Sequence, residues 1–308
     1  ALINPKLFAD PLSPQTQMSS TGYSSILNQL ACFSDIDFRK TGSIYLGHTD
    51  QKAERYQKFP NLLGWSKDHL RAVTSKDVQE MTGYQTPHDG VFYPDAGSVN
   101  PQKLVQKYLE GINVKTGQTV TPNDLTDFDV VVIANGADAI HLDILNDISF
   151  DLIRGQVTYI KQPENLTTLK HAISYGGYIS ATHNGILSVG ATFDRETDQP
   201  IIKSDDNKKN IDLLAQALPD FDHELEVADE WVGIRCSTSD YFPVIGKLPN
   251  HKNIYTHLAL GSAGTVTSLI GAELIASEIT NTPLPVNLDT KKALLAQRFF
   301  DRKLKRAI

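Results

Sequence analysis

The chain has 308 residues, a formal net charge of −7 and 40% hydrophobic residues, with 20 Gly and 15 Pro. This composition is that of an ordinary globular protein, so it excludes disordered and collagen-like classes. No stretch approaches the roughly 20 apolar residues that a membrane helix needs, and we expect no membrane partner. The two cysteines, Cys32 and Cys236, exclude a disulfide scaffold and have no zinc-site spacing, so we expect no metal. Residues 1–5 lack a signal-peptide start, and we expect a cytoplasmic protein.

Three helices are predicted in the first third of the chain. Residues 19–32 place apolar side chains at helical spacing. Thr74, with Asp77 three residues later, is typical of a capping box that begins a helix ending near Gly83. Asn100-Pro101 predicts another helix start, because Pro is favoured at the first helical position. The inward residues expected in that helix, which ends at Gly111, are Leu104, Val105, Tyr108 and Leu109.

The rest of the chain alternates between two secondary-structure patterns, α/β and antiparallel α+β. The β-branched run 129–134 predicts a strand buried on both faces of an α/β sheet. Residues 156–235 predict an antiparallel layer with one covering helix around 211–218, and 265–279 predict a helix after a glycine-containing turn. Further strands are predicted at 43–47, 156–161, 178–180, 186–189, 231–235 and 253–260. This order indicates that the chain leaves an α/β domain and returns to it, which predicts two interleaved domains.

Two turns and one arginine are candidates for binding. The turns 134–137 and 261–264 each follow a predicted strand, where backbone N–H groups can bind an anion, although both could be simple tight turns. Arg235 follows an apolar strand and could bind a carboxylate with two parallel hydrogen bonds. It could equally form a structural salt bridge with Asp240.

The basic residues near the end of the chain have two interpretations. Residues 289–306 contain seven Lys or Arg and two Asp. A solvated terminal helix is favoured, and a basic contact with RNA through 291–306 is the alternative. The sequence contains no P-loop, GxSxG or HExxH motif, which disfavours hydrolases and metalloenzymes.

An ordered set of motifs resembles the D-amino-acid-oxidase-like FAD-dependent oxidoreductases. Within that family it is most similar to the flavin-dependent C-terminal domain of the bifunctional enzymes that make 5-methylaminomethyl-2-thiouridine in tRNA. The resemblance covers nearly the whole chain. The motifs are Gly90 to Pro101, Asp129 to Gly136, Arg154-Gly-Gln156, Gly177-Tyr178, Gly190 to Asp194, Gly233 to Gly246 and Leu260 to Gly264.

This resemblance implies a Rossmann-like FAD-binding domain interleaved with an antiparallel-sheet substrate domain, an α/β plus α+β fold. The FAD-binding domain is expected at 1–40, 96–147 and 234–308, and the substrate domain at 41–95 and 148–233. The implied reaction oxidises a carboxylated secondary amine, converting carboxymethylaminomethyl-uridine of tRNA to aminomethyl-uridine and releasing glyoxylate. A methyltransferase domain, fused or separate, is an implied partner.

The resemblance also implies roles for individual residues. Arg235 would hold the substrate carboxylate as the catalytic-site residue, and Tyr178 would line the substrate pocket. Asn135 and Gly136 would lie next to the phosphate and ribose region of FAD. The residues expected at the flavin ring are Ala1, Leu2, Ile3, Gly261, Ser262, Ala263, Gly264 and Thr265.

The sequence departs from the family pattern in three ways. It has no GxGxxG turn, which normally binds the pyrophosphate at the start of the first βαβ unit. The stretch 111–129 is short for the hairpin that reaches adenine, and Ala263 stands where relatives often have Arg. Three explanations stay open, namely a longer protein, a strand supplied by another chain, or a degenerate form without FAD. A non-catalytic binding module and a glycine or sarcosine oxidase are therefore the alternative functions.

Overall fold

A computed structural model describes residues 1–6 and 8–306. Its strands are β1 (Leu2–Ile3), β2 (Ser43–Leu46), β3 (Arg71–Val73), β4 (Gly90–Tyr93), β5 (Gly97–Ser98), β6 (Val131–Ile133), β7 (Phe150–Lys161), β8 (Ala172–Ser174), β9 (Tyr178–Ile179), β10 (Ile186–Gly190), β11 (Val227–Thr238), β12 (Val244–Lys247) and β13 (Ile254–Leu258). Its α-helices are α1 (Pro14–Ala31), α2 (Asp50–Leu63), α3 (Ser75–Thr82), α4 (Pro101–Leu109), α5 (Ser204–Ala217), α6 (Gly264–Thr280), α7 (Leu288–Leu294) and α8 (Gln297–Arg306). No helix of these residues is long and apolar enough to cross a bilayer.

The chain divides into two compact units. The first unit comprises 1–11, 35–100 and 154–234, and the second comprises 12–34, 101–153 and 235–308. The interleaving of the two units agrees with the order of α/β and antiparallel patterns in the sequence. The bounds of these units differ from those of the predicted domains: 1–11, 35–40, 96–100 and 234 group with the antiparallel sheet, and 148–153 group with the second unit. The strand β1 explains part of this difference, since it pairs with β5 rather than with the parallel strands.

The first unit is built on an eight-stranded sheet with the order β11-β7-β10-β9-β8-β2-β4-β3. All described pairings but one are antiparallel, the exception being β2 with β8. One face of the sheet supplies Ile160, Ile173 and Val189 to a buried cluster that includes Leu214 of α5. Tyr178 pairs with Ser174 and Gly190 in the row between these residues. It therefore lies on the opposite face of the sheet, because side chains alternate along a strand.

A buried polar network connects this sheet to α5. Arg154 of β7 is fully buried and forms an ion pair with Asp206 of α5. Gln156 accepts a hydrogen bond from Arg154 at 2.9 Å and donates to the side chain of Asn207 at 3.0 Å. Thr158 donates to the same Asn207 oxygen at 2.8 Å. The motif Arg154-Gly-Gln156 therefore has a structural role here.

The second unit contains a three-stranded sheet with the order β12-β13-β6. Helix α6 packs against β12, and α1 crosses α6 at Gly22, where a Cβ atom would lie 2.6 Å from the carbonyl oxygen of Val266. Only glycine permits this close approach. The strand β6 pairs with β13 in parallel, as expected for an α/β sheet.

Two burial predictions for the second unit were wrong. The strand β6 lies at the edge of the described sheet, and Val132 is 45% exposed rather than buried on both faces. In α4, Leu104 is buried, whereas Val105, Tyr108 and Leu109 are exposed. The apolar periodicity correctly predicts helix α4. However, the described residues of this unit supply no element that covers its exposed apolar side chains. An edge strand with exposed valines is typical of a sheet that accepts a further strand.

Candidate cofactor and substrate site

The two candidate turns of the second unit leave the sheet at the same end. Ile133 of β6 lies opposite Thr256 of β13 in the parallel register. The chain therefore leaves both strands within a few residues of this pair, at their carboxyl ends. Open α/β sheets bind ligands at this end of their parallel strands. The structure thus brings Asn135 and Gly136 to the same edge as the turn that precedes α6.

The turn between β13 and α6 is held by the backbone. Ala259 and Gly261 both have a φ of 58°, the left-handed region, and the Gly261 N–H donates to the carbonyl of Cys236 at 3.0 Å. Helix α6 has Ala263 as its N-cap residue and no side-chain cap. The dipole of this 17-residue helix and its unpaired N–H groups make its start, at Gly264 and Thr265, partially positive. This end suits a group that carries or develops negative charge.

The other candidate turn is open to solvent. Gly136 has a φ of 64°, and a Cβ atom built on it would meet nothing within 4 Å. It begins a short 3-10 helix, Gly136–His141. The backbone here can therefore lie against a bound group without obstruction by neighbouring side chains.

The predicted flavin contacts at residues 1–3 belong to the first unit. Leu2 pairs with Ser98 and Ile3 with Gly97, and Ile3 is fully buried. The Ser98 hydroxyl is buried and has no hydrogen-bond partner among the described residues, whereas the Arg39 Nε lies 3.7 Å from the Asp37 carboxylate. Buried polar groups are nearly always paired, so the Ser98 hydroxyl indicates a place where a ligand could supply the partner.

The two residues predicted to bind the substrate lie in different units. In the first unit, Tyr178 is partly buried, and its carbonyl accepts a hydrogen bond from Tyr175 Oη at 3.2 Å. In the second unit, Arg235 lies in β11 and is partly buried. The neighbouring thiol of Cys236 is buried, and burial raises its pKa to about 11, so it is un-ionised at neutral pH.

Asp240, the alternative partner of Arg235, is held by two other arginines. Its carboxylate lies 3.0 Å from Arg298 Nε and 2.8 Å from Arg302 Nη2. Burial alone would raise the pKa of Asp240, but the hydrogen bonds and charge of Arg298 lower it to about 2. Asp240 is therefore ionised and anchors α8. The sequence did not indicate this role for Arg298, because the two residues are 58 positions apart.

The basic end of the chain is partly neutralised within the second unit. Lys291 pairs with Glu278 at 2.6 Å, Arg298 and Arg302 pair with Asp240, and Lys303 pairs with Asp147. The side chains of Lys305 and Arg306 lie outside the described residues. These ion pairs reduce the positive charge available for RNA in 291–306. Within the described part of the chain, no group of His, Cys, Asp and Glu could hold a metal ion.

The family comparison shows the class to which the fold belongs, the FAD-dependent oxidoreductases. The family described as FAD dependent oxidoreductase (DAO) matches residues 2–278, and the chain belongs to this family. FAD is accordingly its cofactor.

Curated relatives include the tRNA 5-methylaminomethyl-2-thiouridine biosynthesis bifunctional protein MnmC of Chromobacterium violaceum, 27% identical over 95% of this chain and 52% of that relative. The protein of the same name from Legionella pneumophila strain Lens is 26% identical over 85% of this chain and 45% of its own length. The chain thus spans about half the length of these relatives.

Solved structures support the fold. Glycine oxidase from Geobacillus kaustophilus has a TM-score of 0.74, with 18% identity over 93% of this chain and 85% of that chain. Iminodiacetate oxidase from Chelativorans sp. BNC1 has a TM-score of 0.71, with 15% identity over 93% and 86%.

The residues present fit the flavin part of FAD better than its pyrophosphate. The uncapped start of α6 in the second unit suits the polar edge of a flavin. The glycine-rich strand-turn-helix that binds pyrophosphate in this class is not in the sequence. The exposed edge of β6 is the position in the second unit where such a strand could pair.

Proposed function

We propose that this protein catalyses the FAD-dependent removal of a carboxymethyl group from a secondary amine. The substrate is carboxymethylaminomethyl-uridine at the wobble position of tRNA, and the products are aminomethyl-uridine and glyoxylate. The observation that supports the proposal most strongly is the uncapped start of α6 beside the paired carboxyl ends of β6 and β13, in a chain of the FAD dependent oxidoreductase family.

The cofactor would be held mainly by backbone groups. Gly261, Ser262, Ala263, Gly264 and Thr265 would lie along the pyrimidine edge of the flavin, where the α6 dipole favours negative charge. Asn135 and Gly136 would adjoin the ribose and phosphate region, and Ala1, Leu2 and Ile3 would adjoin the ring. When bound, FAD supplies the acceptor for the hydride removed from the amine.

The substrate would be positioned by one charged and one aromatic side chain. Arg235 would bind the carboxylate with two parallel N–H bonds, which orients the carbon that loses the hydride. Tyr178, on the sheet face opposite α5, would line the pocket. Oxidation of an un-ionised amine depends on positioning more than on a protein acid or base, so no catalytic triad is required.

The substrate and partners are inferred from the relatives. The MnmC proteins are bifunctional by name and about twice as long as this chain, so we propose that a methyltransferase domain works with it, fused or separate. A tRNA substrate would place the reaction in the cytoplasm. Among the described side chains, an RNA contact through 291–306 would depend on Lys292, because Lys291, Arg298, Arg302 and Lys303 have intramolecular partners.

The proposal is tested by incubating the purified protein and FAD with tRNA that contains carboxymethylaminomethyl-uridine. We expect aminomethyl-uridine and glyoxylate in equal amounts, and no turnover of glycine or sarcosine. Turnover of the free amino acids alone would support an amino-acid oxidase and contradict the tRNA substrate. A protein that binds tRNA but neither binds FAD nor oxidises any amine would instead be a binding module.

A further inference from the structure

The first unit contains a cleft that the proposed reaction does not use. It lies beside the first half of β11, the edge strand of the eight-stranded sheet, and has a volume of about 320 Å³. The residues that line it are Tyr159, Ile186, Ala228, Asp229, Glu230 and Trp231. Two aromatic residues and two acidic residues thus line one open cleft.

The indole of Trp231 lies against the glycine two residues later in the strand. A Cβ atom on Gly233 would lie 2.4 Å from Cη2 and 3.0 Å from Cζ3 of the Trp231 ring. The ring therefore contacts Gly233 at one end, while Trp231 is 58% exposed. The exposed part of the ring is available to a ligand, and an exposed aromatic ring is a favourable surface for a cation.

The charged groups around the cleft are predominantly negative. Asp229 accepts the Glu230 N–H at 2.8 Å, which fixes its carboxylate. Glu230 accepts a hydrogen bond from Asn207 of α5 at 2.8 Å, so its carboxylate lies on the sheet face of that helix, whereas Asp229 shares a face with Trp231. Lys161, two residues after Tyr159 on β7, pairs with Glu226 at 2.5 Å. Burial raises the pKa of Tyr159, and the charge of Asp229 raises it further. The negative charge of Asp229 attracts cations and repels phosphate.

We propose that the cleft binds an alkylammonium group, with the cation against the indole of Trp231 and within the field of Asp229. This site goes beyond the proposed function, and it does not depend on FAD or on tRNA. A nucleobase could also stack on the indole, but the Asp229 carboxylate would oppose the phosphates that accompany it.

Choline and its neutral carbon analogue, 3,3-dimethylbutan-1-ol, test the proposal because they have the same shape and differ in charge. The full chain has two tryptophans, so the variant Trp65→Phe leaves Trp231 as the only indole reporter. Choline should change the fluorescence of Trp231 saturably, and the neutral analogue should bind about tenfold more weakly. Sodium chloride at equal concentration controls for ionic strength.

Variants separate the two contributions, with binding followed by broadening of the choline N-methyl NMR signal. Trp231→Ala should raise the Kd for choline about tenfold, and Trp231→Phe should raise it less, since the smaller ring keeps part of the attraction. Asp229→Asn should weaken choline binding and leave the neutral analogue unchanged. Equal affinity for choline and its analogue, no effect of Asp229→Asn in a folded variant, or tighter binding of uridine monophosphate than of choline would each overturn the proposal.

Discussion

Arg154 and Asp206 form an ion pair in which both side chains are excluded from solvent. Removing one partner of such a pair leaves a buried charge uncompensated, which costs about 3–5 kcal/mol. We expect Arg154→Met and Asp206→Asn each to lower the free energy of unfolding by about this amount, measured by urea denaturation. As a control, Lys208→Ala removes the exposed pair with Asp212 and should cost at most about 0.5 kcal/mol. Similar losses of stability in all three variants would contradict a larger contribution from the buried ion pair than from the exposed one.

Asp240 should make the protein sensitive to acid. Its folded pKa of about 2 lies below the unfolded value, so its stabilisation is fully present above pH about 4 and is lost as the pH falls towards 2. This lowering of the Asp240 pKa corresponds to about 2 kcal/mol in the free energy of unfolding. We therefore expect Asp240→Asn to lower stability by about that much at pH 7 and to flatten the dependence of stability on pH below 4. Chemical denaturation at several pH values measures this, and an unchanged pH profile in the variant would contradict it.

Parts of the fold could be predicted because the signal is local. Helix α1 follows from apolar spacing, and its structure has Tyr23, Ile26 and Leu30 buried. The capping box of Thr74 and Asp77 at the start of α3 is also confirmed. Helix α2 was missed because Phe59 is its only buried residue and Pro60 lies inside it.

Other features depend on distant partners and could not be read from the sequence. Local spacing does not show that Arg154 pairs with a carboxylate 52 residues later. Likewise, the apolar run around Val132 predicts a strand but not which of its faces is covered. For the candidate site, the sequence predicts the two turns that follow β6 and β13. It does not predict the buried, unpartnered hydroxyl of Ser98, because that position depends on the pairing of β1 with β5.

The exposed edge of β6 should promote self-association. An edge strand with an exposed valine is a template for pairing with another chain. We expect Val132→Lys to reduce the concentration-dependent increase in mass seen by light scattering. Ile202→Lys, at an exposed apolar position outside any strand, is the matched control and should have little effect. If both substitutions reduce association equally, general hydrophobicity rather than the strand edge is responsible.

Arg235 should discriminate between substrates with and without a carboxylate. Arg235→Ala should raise KM for the carboxymethylated amine by at least about tenfold, the effect of losing a charge-assisted pair of hydrogen bonds. The same variant should change KM for an N-methyl analogue little. Arg235→Lys should recover part of the loss, because it keeps the charge without the paired geometry. Equal effects on both amines would indicate a structural role for Arg235.

The most direct test of the account is a titration of the protein with FAD, followed by the visible absorbance of the bound flavin, in two glycine variants. Gly261 and Gly117 both have positive φ angles, 58° and 69°, and neither has a close neighbour at the Cβ position, so Gly→Ala strains the backbone similarly at both. We expect one FAD per chain, a Kd at least about tenfold higher for Gly261→Ala, and no change for Gly117→Ala. Equal affinity in both variants, or no FAD binding by the unaltered protein, would contradict FAD binding at the turn before α6.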